Sequence, residues 1–352
     1  LFEREFAAYV GAKRGIAMSN GTVTLEAMLR AANVGPGDEV IVTPRSFMAS
    51  VSCVVAVGAV PVFADIDPES QNLSVEDASA KVSKKTKAVL PVHLNGWPAD
   101  MDGFLSLAST ENLTLIEDCA QAHGAMYKGR KVGTFGAGGS WSFCQDKIVT
   151  TGGEGGFVTT NDDEIADSCW AFKDHGKTLE TMSRHHPPGF QWLHDRFGTN
   201  ARMTEFQSAI GRVQLQKLDG WVTARRRNAQ ALREGLSDIT HLRVPWPDES
   251  LTHSWYKFTA FIDIEALASD WSRDRIVDEI NLAGVPCISG TCGELYRQRA
   301  AIQAGLGLSE PLPIAKCLAD TSITLQVHPT LTITDMERAA DTVRRVSSQA
   351  LR

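Results

Sequence analysis

Apolar positions along this chain fall into two patterns. In the first third, short runs that are almost wholly apolar (16–18, 40–43, 60–64 and 88–93) are separated by stretches with apolar residues at helical spacing. The runs predict buried strands and the stretches predict amphipathic helices. Residues 16–30 read as a strand, a turn at Ser19-Asn-Gly-Thr22 and a helix; a loop over 34–39 precedes the next strand, and a helix over about 47–57 follows it. Further strands are predicted at 113–117, 139–143 and 157–160, and a helix at 163–173. Then come an irregular segment over 175–199 and a helical stretch over 203–236 with a break near Asp219-Gly220. A strand at 255–262, a helix at 272–283 and a closing amphipathic helix from Asp335 complete the chain. Strands separated by crossover helices predict an α/β fold with a parallel sheet.

At 352 residues the chain exceeds the usual single-domain size, so two domains are expected, a large one over 1–235 and a small C-terminal one over 236–352. Hydrophobic and charged fractions of 43% and 22% are ordinary for a globular enzyme. The net charge of −7 comes with no long basic tract, which argues against nucleic acid as a partner. No run of eighteen apolar residues occurs and the start does not read as a signal peptide, so a cytoplasmic protein without membrane association is expected. Because the numbering opens on Leu1, an N-terminal piece is expected to precede it. Seven scattered cysteines fit reduced thiols better than a disulfide framework. His185, His186, His194 and Asp195 can be drawn together as a metal site, but they lie in a polar stretch containing Pro and Gly, and no metal is expected there.

Three stretches carry candidate chemistry. Lys147 stands between a short apolar-aromatic run and the glycine-rich Gly152-Gly-Glu-Gly-Gly156. A lysine in a walled pocket loses hydration, and its neutral amine attacks carbonyls, as Schiff-base chemistry requires; the alternative is a surface lysine in a turn. Asp118 ends the apolar run at 113–117, at the edge where open α/β sheets place ligands. A buried carboxylate there needs a cation, and a protonated pyridine nitrogen would serve; the alternative is that Asp118 caps a helix starting at Cys119. The turn at Asn20, Gly21 and Thr22 opens a helix, whose free amides and dipole favour a phosphate, although Asn and Thr also cap helices routinely.

Gly21-Thr22, Glu117-Asp-Cys-Ala-Gln121, Ser142-Phe143 with Lys147, Gly153-Glu-Gly-Gly156 and the stretch from Gly198 to Gly211 resemble, in order and over nearly the whole chain, the DegT/DnrJ/StrS aminotransferases. The resemblance implies a fold-type-I transferase dependent on pyridoxal 5'-phosphate. Such a fold has a large, mainly parallel sheet domain with helices on both faces and a smaller C-terminal α/β domain. By the same resemblance Lys147 would link the cofactor as a Schiff base and then shuttle protons. Asp118 would pair with the ring nitrogen, Gln121 would lie near the ring hydroxyl, and Phe47 would stack on the ring. Ser142, Gly21 and Thr22 would hold the phosphate, and Asn200 would supply a phosphate ligand to the other subunit of a homodimer with a shared active site. Simpler roles remain for three of these: core packing for Phe47, an ordinary strand serine for Ser142 and a helix N-cap for Asn200.

The implied reaction moves the amino group of L-glutamate, through pyridoxamine phosphate (PMP), to a keto-sugar or sugar-acid-like substrate of polysaccharide, lipopolysaccharide or secondary-metabolite biosynthesis. A lysine rather than a histidine at position 147 argues against the family's sugar dehydratases. The chain departs from many sugar-modifying relatives where they carry a His-Tyr-x-Pro-like element. Here it reads Gly284-Val-Pro-Cys-Ile-Ser-Gly-Thr-Cys-Gly293, and later Gln326-Val-His-Pro329. That leaves room for an aminocyclitol or aminoshikimate-type ring. Two other classes are considered. A nicotinamide oxidoreductase would use the glycines at 133–139, although no clean GxGxxG stands there. A non-catalytic cofactor-binding regulator would be expected to lack the lysine.

Overall fold

A computed structural model describes residues 1–185, 188–189 and 193–351. Its main sheet has seven strands in the order Arg14–Met18, Gly156–Thr160, Gly138–Ser142, Thr114–Asp118, Thr86–Leu90, Glu39–Val42 and Val60–Phe63. Five adjacent strands, from Gly138–Ser142 to Val60–Phe63, are mutually parallel. Gly156–Thr160 runs against both of its neighbours, so Arg14–Met18 shares the direction of the five. Residues 116, 89 and 41 are sealed from solvent, as in a sheet covered on both faces.

The helix Gly21–Ala31 shows how the sequence sets the covering layer. Asn20 takes an extended backbone, and its side chain accepts from the Val23 amide, capping the helix. The helix then buries Thr24, Leu25, Ala27, Met28 and Leu29. The expected helix over 163–173 is present as Asp163–Lys173, with Asp162 accepting from the amides of Glu164 and Ile165.

A smaller C-terminal domain carries an antiparallel sheet in the order Leu242–Arg243, Phe258–Ile262, Ser322–Leu325 and Cys287–Ile288. Its core gathers Phe258, Ile276, Ile323, Val343 and their neighbours. The helix Leu218–Gly235 reaches both cores. Leu218 packs among Phe6, Trp141 and Phe157, while Ala229 and Leu232 pack in the C-terminal core. Full burial of a leucine side chain contributes roughly 1.5–3 kcal/mol, so each end of this helix is anchored independently.

Several boundaries differ from expectation. The helical break falls at Gln216 and Lys217, between Glu205–Leu215 and Leu218–Gly235, and not at Asp219-Gly220. Asp219 sits in the first turn, where a carboxylate suits the helix dipole, and accepts from the Tyr9 hydroxyl at 2.6 Å. A side chain at Gly220 would meet open space. The strand expected from Trp255 begins at Phe258, because Trp255 has φ 52° and stacks on His253, ring centroids 3.9 Å apart. The segment over 175–199 holds a short helix, Leu179–Ser183. The pair Pro313–Thr321 and Ser322–Leu325 was not legible, since helix passes into strand with no glycine or proline between them. All seven cysteines are free. Among the described residues no helix is long and apolar enough to cross a membrane.

Candidate active site

Parallel strands end at a common edge, and the residues just beyond that edge form the site. Asp118 is the last residue of its strand and is 5% exposed. Its amide donates to Pro91 O and its carbonyl accepts from the His93 amide, which fixes the backbone. Oδ1 accepts from the Ala120 amide at 3.1 Å and Oδ2 from Ser50 Oγ at 3.3 Å. No helix starts at Cys119; the Ala120 contact is a local turn, so the capping alternative does not hold. Burial pushes the Asp118 pKa up, against the pull of these two hydrogen bonds and of the Lys147 charge. No cation pairs with it among the described residues. A buried carboxylate of this kind is stabilised by a positive partner.

The phosphate candidates meet on the neighbouring strand ends. A Cβ built on Gly21 would lie 2.7 Å from Ser142 Cβ, and one on Gly156 would lie 2.2 Å from Asn20 O. Only hydrogen at these positions lets the helix start, the end of Gly138–Ser142 and the glycine-rich turn close together. Thr24 Oγ1 and Ser140 Oγ, 2.7 Å apart, tie the helix to the strand behind. The amides of Gly21 and Thr22 precede the first intrahelical bond. Ser142 is buried and Thr22 exposed.

Lys147 lies in the loop between Gly138–Ser142 and Gly156–Thr160. Its amide donates to Cys144 O at 3.0 Å, and the return of the chain needs Gly152 and Gly153, at φ 90° and 128°. The lysine side chain is 15% exposed. Nζ stands 3.5 Å from Tyr256 Oη and 3.5 Å from Asp146 Oδ1. Tyr256 in turn donates a short hydrogen bond to Asp146 Oδ2. Burial pulls the Asp146 pKa upward, but the Tyr256 bond and the Lys147 charge outweigh it and hold the group below the ordinary carboxylate value. Burial, with the Asp146 bond, raises the Tyr256 phenol, which stays a neutral donor. Tyr256 belongs to the C-terminal part of the chain; its amide donates to Asn95 O, and Arg225 Nη1 donates to its carbonyl at 3.1 Å.

Phe47 is 67% exposed, so the core-packing alternative is excluded. Ser50 N donates to its carbonyl, and the same serine bonds Asp118. Gln121 is buried, and its Oε1 accepts from the Asn95 amide at 2.8 Å, which orients the side chain. Asn200 is exposed and bridges to Asp174. It caps no helix, because the next one is capped by Thr204. Asp146, Tyr256 and Ser50 were not picked out from sequence. The first adjoins Lys147 and the last lies three residues after Phe47, while Tyr256 carried no local signal.

The metal reading does not assemble. His186 lies outside the described residues, His194 Nδ1 bonds His175 O, and Asp195 accepts from Thr178 and Thr181. Among the described residues one cluster has metal-ligand composition, His93, Glu117 and Cys119. Its polar atoms are already used: His93 Nδ1 accepts from the Ala99 amide, Nε2 meets Glu117, and Glu117 also accepts from the amides of Gly133 and Phe135. The glycines at 133–139 lead into the Gly138–Ser142 strand and open no helix, so they form no dinucleotide turn.

The family model for DegT/DnrJ/EryC1/StrS aminotransferases matches residues 1–344. An aminotransferase from Psychrobacter cryohalolentis, known from its X-ray structure, is 47% identical, with a TM-score of 0.96 over 99% of this chain and 91% of that one. The GDP-perosamine synthase of Caulobacter vibrioides is 38% identical over 286 residues, 81% of this chain and 73% of the relative. A Bacillus subtilis protein solved with its cofactor PMP bound is 25% identical, with a TM-score of 0.86 over 99% of this chain and 76% of that one.

Proposed function

The chain belongs to the DegT/DnrJ/EryC1/StrS aminotransferase family, and from that premise we propose that it moves the amino group of L-glutamate to a keto-sugar or sugar-acid-like acceptor, using pyridoxal 5'-phosphate. The observation that carries this reading is the buried carboxylate of Asp118, paired with no cation among the described residues and within electrostatic reach of Lys147. A pyridinium ring nitrogen satisfies Asp118, and the cradle that a Cβ on Gly21 would fill suits a phosphate. The residues fit the cofactor.

Bound there, pyridoxal phosphate supplies the electron sink that makes the donor's α-proton removable. Asp118 would hold the proton on the ring nitrogen. Gln121 would serve the ring hydroxyl and Phe47 the ring face. Gly21, Thr22 and Ser142 would bind the phosphate, joined by Asn200 of a second copy in a homodimer with a shared site. Lys147 Nζ takes the proton from the donor α-carbon and, in the second half of the reaction, returns one to the acceptor carbon, acting as base and then acid. Asp146 and Tyr256 keep Nζ beside the reacting atoms when it is free.

The likeness to the Caulobacter GDP-perosamine synthase supports a sugar acceptor, and the PMP-bound Bacillus structure supports the cofactor. The departure at 284–293 supports a second reading, in which the acceptor is an aminocyclitol or aminoshikimate-type ring. We place the reaction in cytoplasmic amino-sugar biosynthesis leading to lipopolysaccharide or a related polysaccharide. The test is the visible spectrum of the protein with pyridoxal phosphate, before and after L-glutamate. A lysine-bound cofactor band that gives way to the PMP band is the expected result. An unmoved band overturns the donor, and no band overturns the cofactor.

A further inference from the structure

Arg45 mirrors Asp118 with the opposite sign. It is 1% exposed, and arginine is almost never fully buried unless paired. Its two partners are neutral: Nε donates to Gln71 Oε1 at 3.1 Å and Nη2 to Ser322 Oγ at 3.0 Å. Nη1 is sealed and has no partner. Among the described residues no carboxylate pairs with it, and the charged arginine that acts on it is Arg273, of like sign. Burial first, and Arg273 second, lower the guanidinium pKa to about 10. The Cys292 thiol acts on it with the opposite sign but more weakly than either. A buried cation without a paired carboxylate is costly, and none pairs with Arg45 among the described residues.

The residue stands at the rim of the site. It lies two positions before Phe47. Its neighbour Ser46 accepts from Ser50 Oγ at 3.1 Å, and Ser50 bonds Asp118. Over the guanidinium runs the segment 289–293 of the C-terminal domain, tied down by Thr291 Oγ1 to Ser46 O at 3.2 Å and by Ser322 Oγ to Ser289 O at 2.7 Å. It presents bare backbone to the charge: a Cβ on Gly293 would lie 3.0 Å from Nη1 and one on Gly290 3.5 Å from Nη2. This segment falls within 284–293, where the sequence departs from the His-Tyr-x-Pro-like element of sugar-modifying relatives.

We propose that Arg45 is the residue that receives a substrate carboxylate at the edge of the cofactor site, through Nη1 and Nη2, once the segment 289–293 lifts. The guanidinium fork matches a carboxylate with two parallel hydrogen bonds. The carboxylate belongs either to the amino donor or to an acid group on the acceptor. The inference rests on the aminotransferase reading for where the reaction occurs; the charge argument stands on Arg45 itself.

The test is calorimetric titration of the full chain, incubated with pyridoxal phosphate, using glutarate as a donor-like dicarboxylate, glucuronate as a carboxylated hexose and glucose as the neutral control. Glutarate or glucuronate is expected to bind and glucose not. Arg45→Gln should weaken that binding on the order of 10–100-fold, and Arg45→Lys should recover part of it. Binding of glutarate assigns the carboxylate to the donor, and binding of glucuronate assigns it to the acceptor. Binding of neither, or equal binding in wild type and Arg45→Gln, overturns the proposal. If Arg45→Gln does not fold, Ser322→Ala decides, with a several-fold loss expected and an unchanged constant overturning the proposal. Failure to take up pyridoxal phosphate would sink the functional reading alone, because the heat of carboxylate binding is read without it.

Discussion

Tyr256 hydrogen-bonds Asp146 while its oxygen lies 3.5 Å from Lys147 Nζ, so a residue from the C-terminal part of the chain completes the surroundings of a lysine carried by the large sheet. Replacing Tyr256 with Phe removes the donor. Turnover should fall about tenfold through looser placement of Nζ, and stability by roughly 0.5–1 kcal/mol, because the Asp146 side chain is half exposed and water can replace the lost donor. The pH dependence follows from Asp146. Its folded pKa is lowered from the ordinary 3.8, so its contribution is fully present above that value and is lost as pH falls below it through the folded pKa. Urea midpoints for wild type and Tyr256→Phe should therefore converge on acidification below about pH 4. A constant gap would refute the pairing.

Lys147→Ala should abolish turnover and leave the far-ultraviolet dichroism of the protein unchanged, because the side chain hangs from a loop and supports no core cluster. Measurable turnover above about one thousandth of wild type would exclude Lys147 as the proton carrier.

Asp118→Asn should move stability and activity in opposite directions. Burial raises the Asp118 pKa, so folding favours the neutral acid. The penalty on the carboxylate grows as pH rises from the ordinary 3.8 through the folded value, and it disappears below 3.8. In cofactor-free protein the urea midpoint of Asp118→Asn should exceed wild type at pH 7 and match it in acid. Turnover should drop on the order of 10²–10³-fold, with loss of the fixed charge opposite the ring nitrogen.

Gly21→Ala forces a methyl against Ser142 Cβ at 2.7 Å. Overpacking of this kind costs about 1–3 kcal/mol, and here it also fills the space assigned to phosphate. Spectral titration should give a pyridoxal phosphate Kd raised at least about tenfold, with a lowered Tm. An unchanged Kd would remove Gly21 from the phosphate site.

Chelators should leave turnover unchanged, since the atoms of His93 and Glu117 are engaged in hydrogen bonds. His93→Ala should instead cost about 1–3 kcal/mol by leaving the buried Glu117 short of a donor. Loss of activity in a metal-chelating buffer, restored by a divalent ion, would contradict this reading.

The strands and the residues at their carboxyl ends were legible because each depends on local pattern: apolar runs gave the strands, and glycines marked the turns at 20–22 and 152–156. Phe47 was readable as a position but not as an exposed side chain, since an aromatic residue after a strand looks the same in a core. Tyr256 was hidden for a different reason. It reaches Lys147 because Trp255 adopts a left-handed backbone, with its ring stacked on His253 and tilted against Trp246, a tertiary effect without a local signature. Arg45 was not singled out from sequence, and only its burial and its unpartnered Nη1 mark it.

The antiparallel strand Gly156–Thr160 gives the lysine loop an unusual kinetic independence. Its pairing with Gly138–Ser142, from Ser142↔Gly156 to Gly139↔Thr159, is a hairpin contact between near neighbours in the chain, whereas every parallel pairing in this sheet must wait for a crossover to close. Local contacts incur little loop-closure entropy and form early. During synthesis the lysine's carrier can thus take shape before the ribosome has made Tyr256, and the reactive amine gains its last neighbours only when the C-terminal residues arrive.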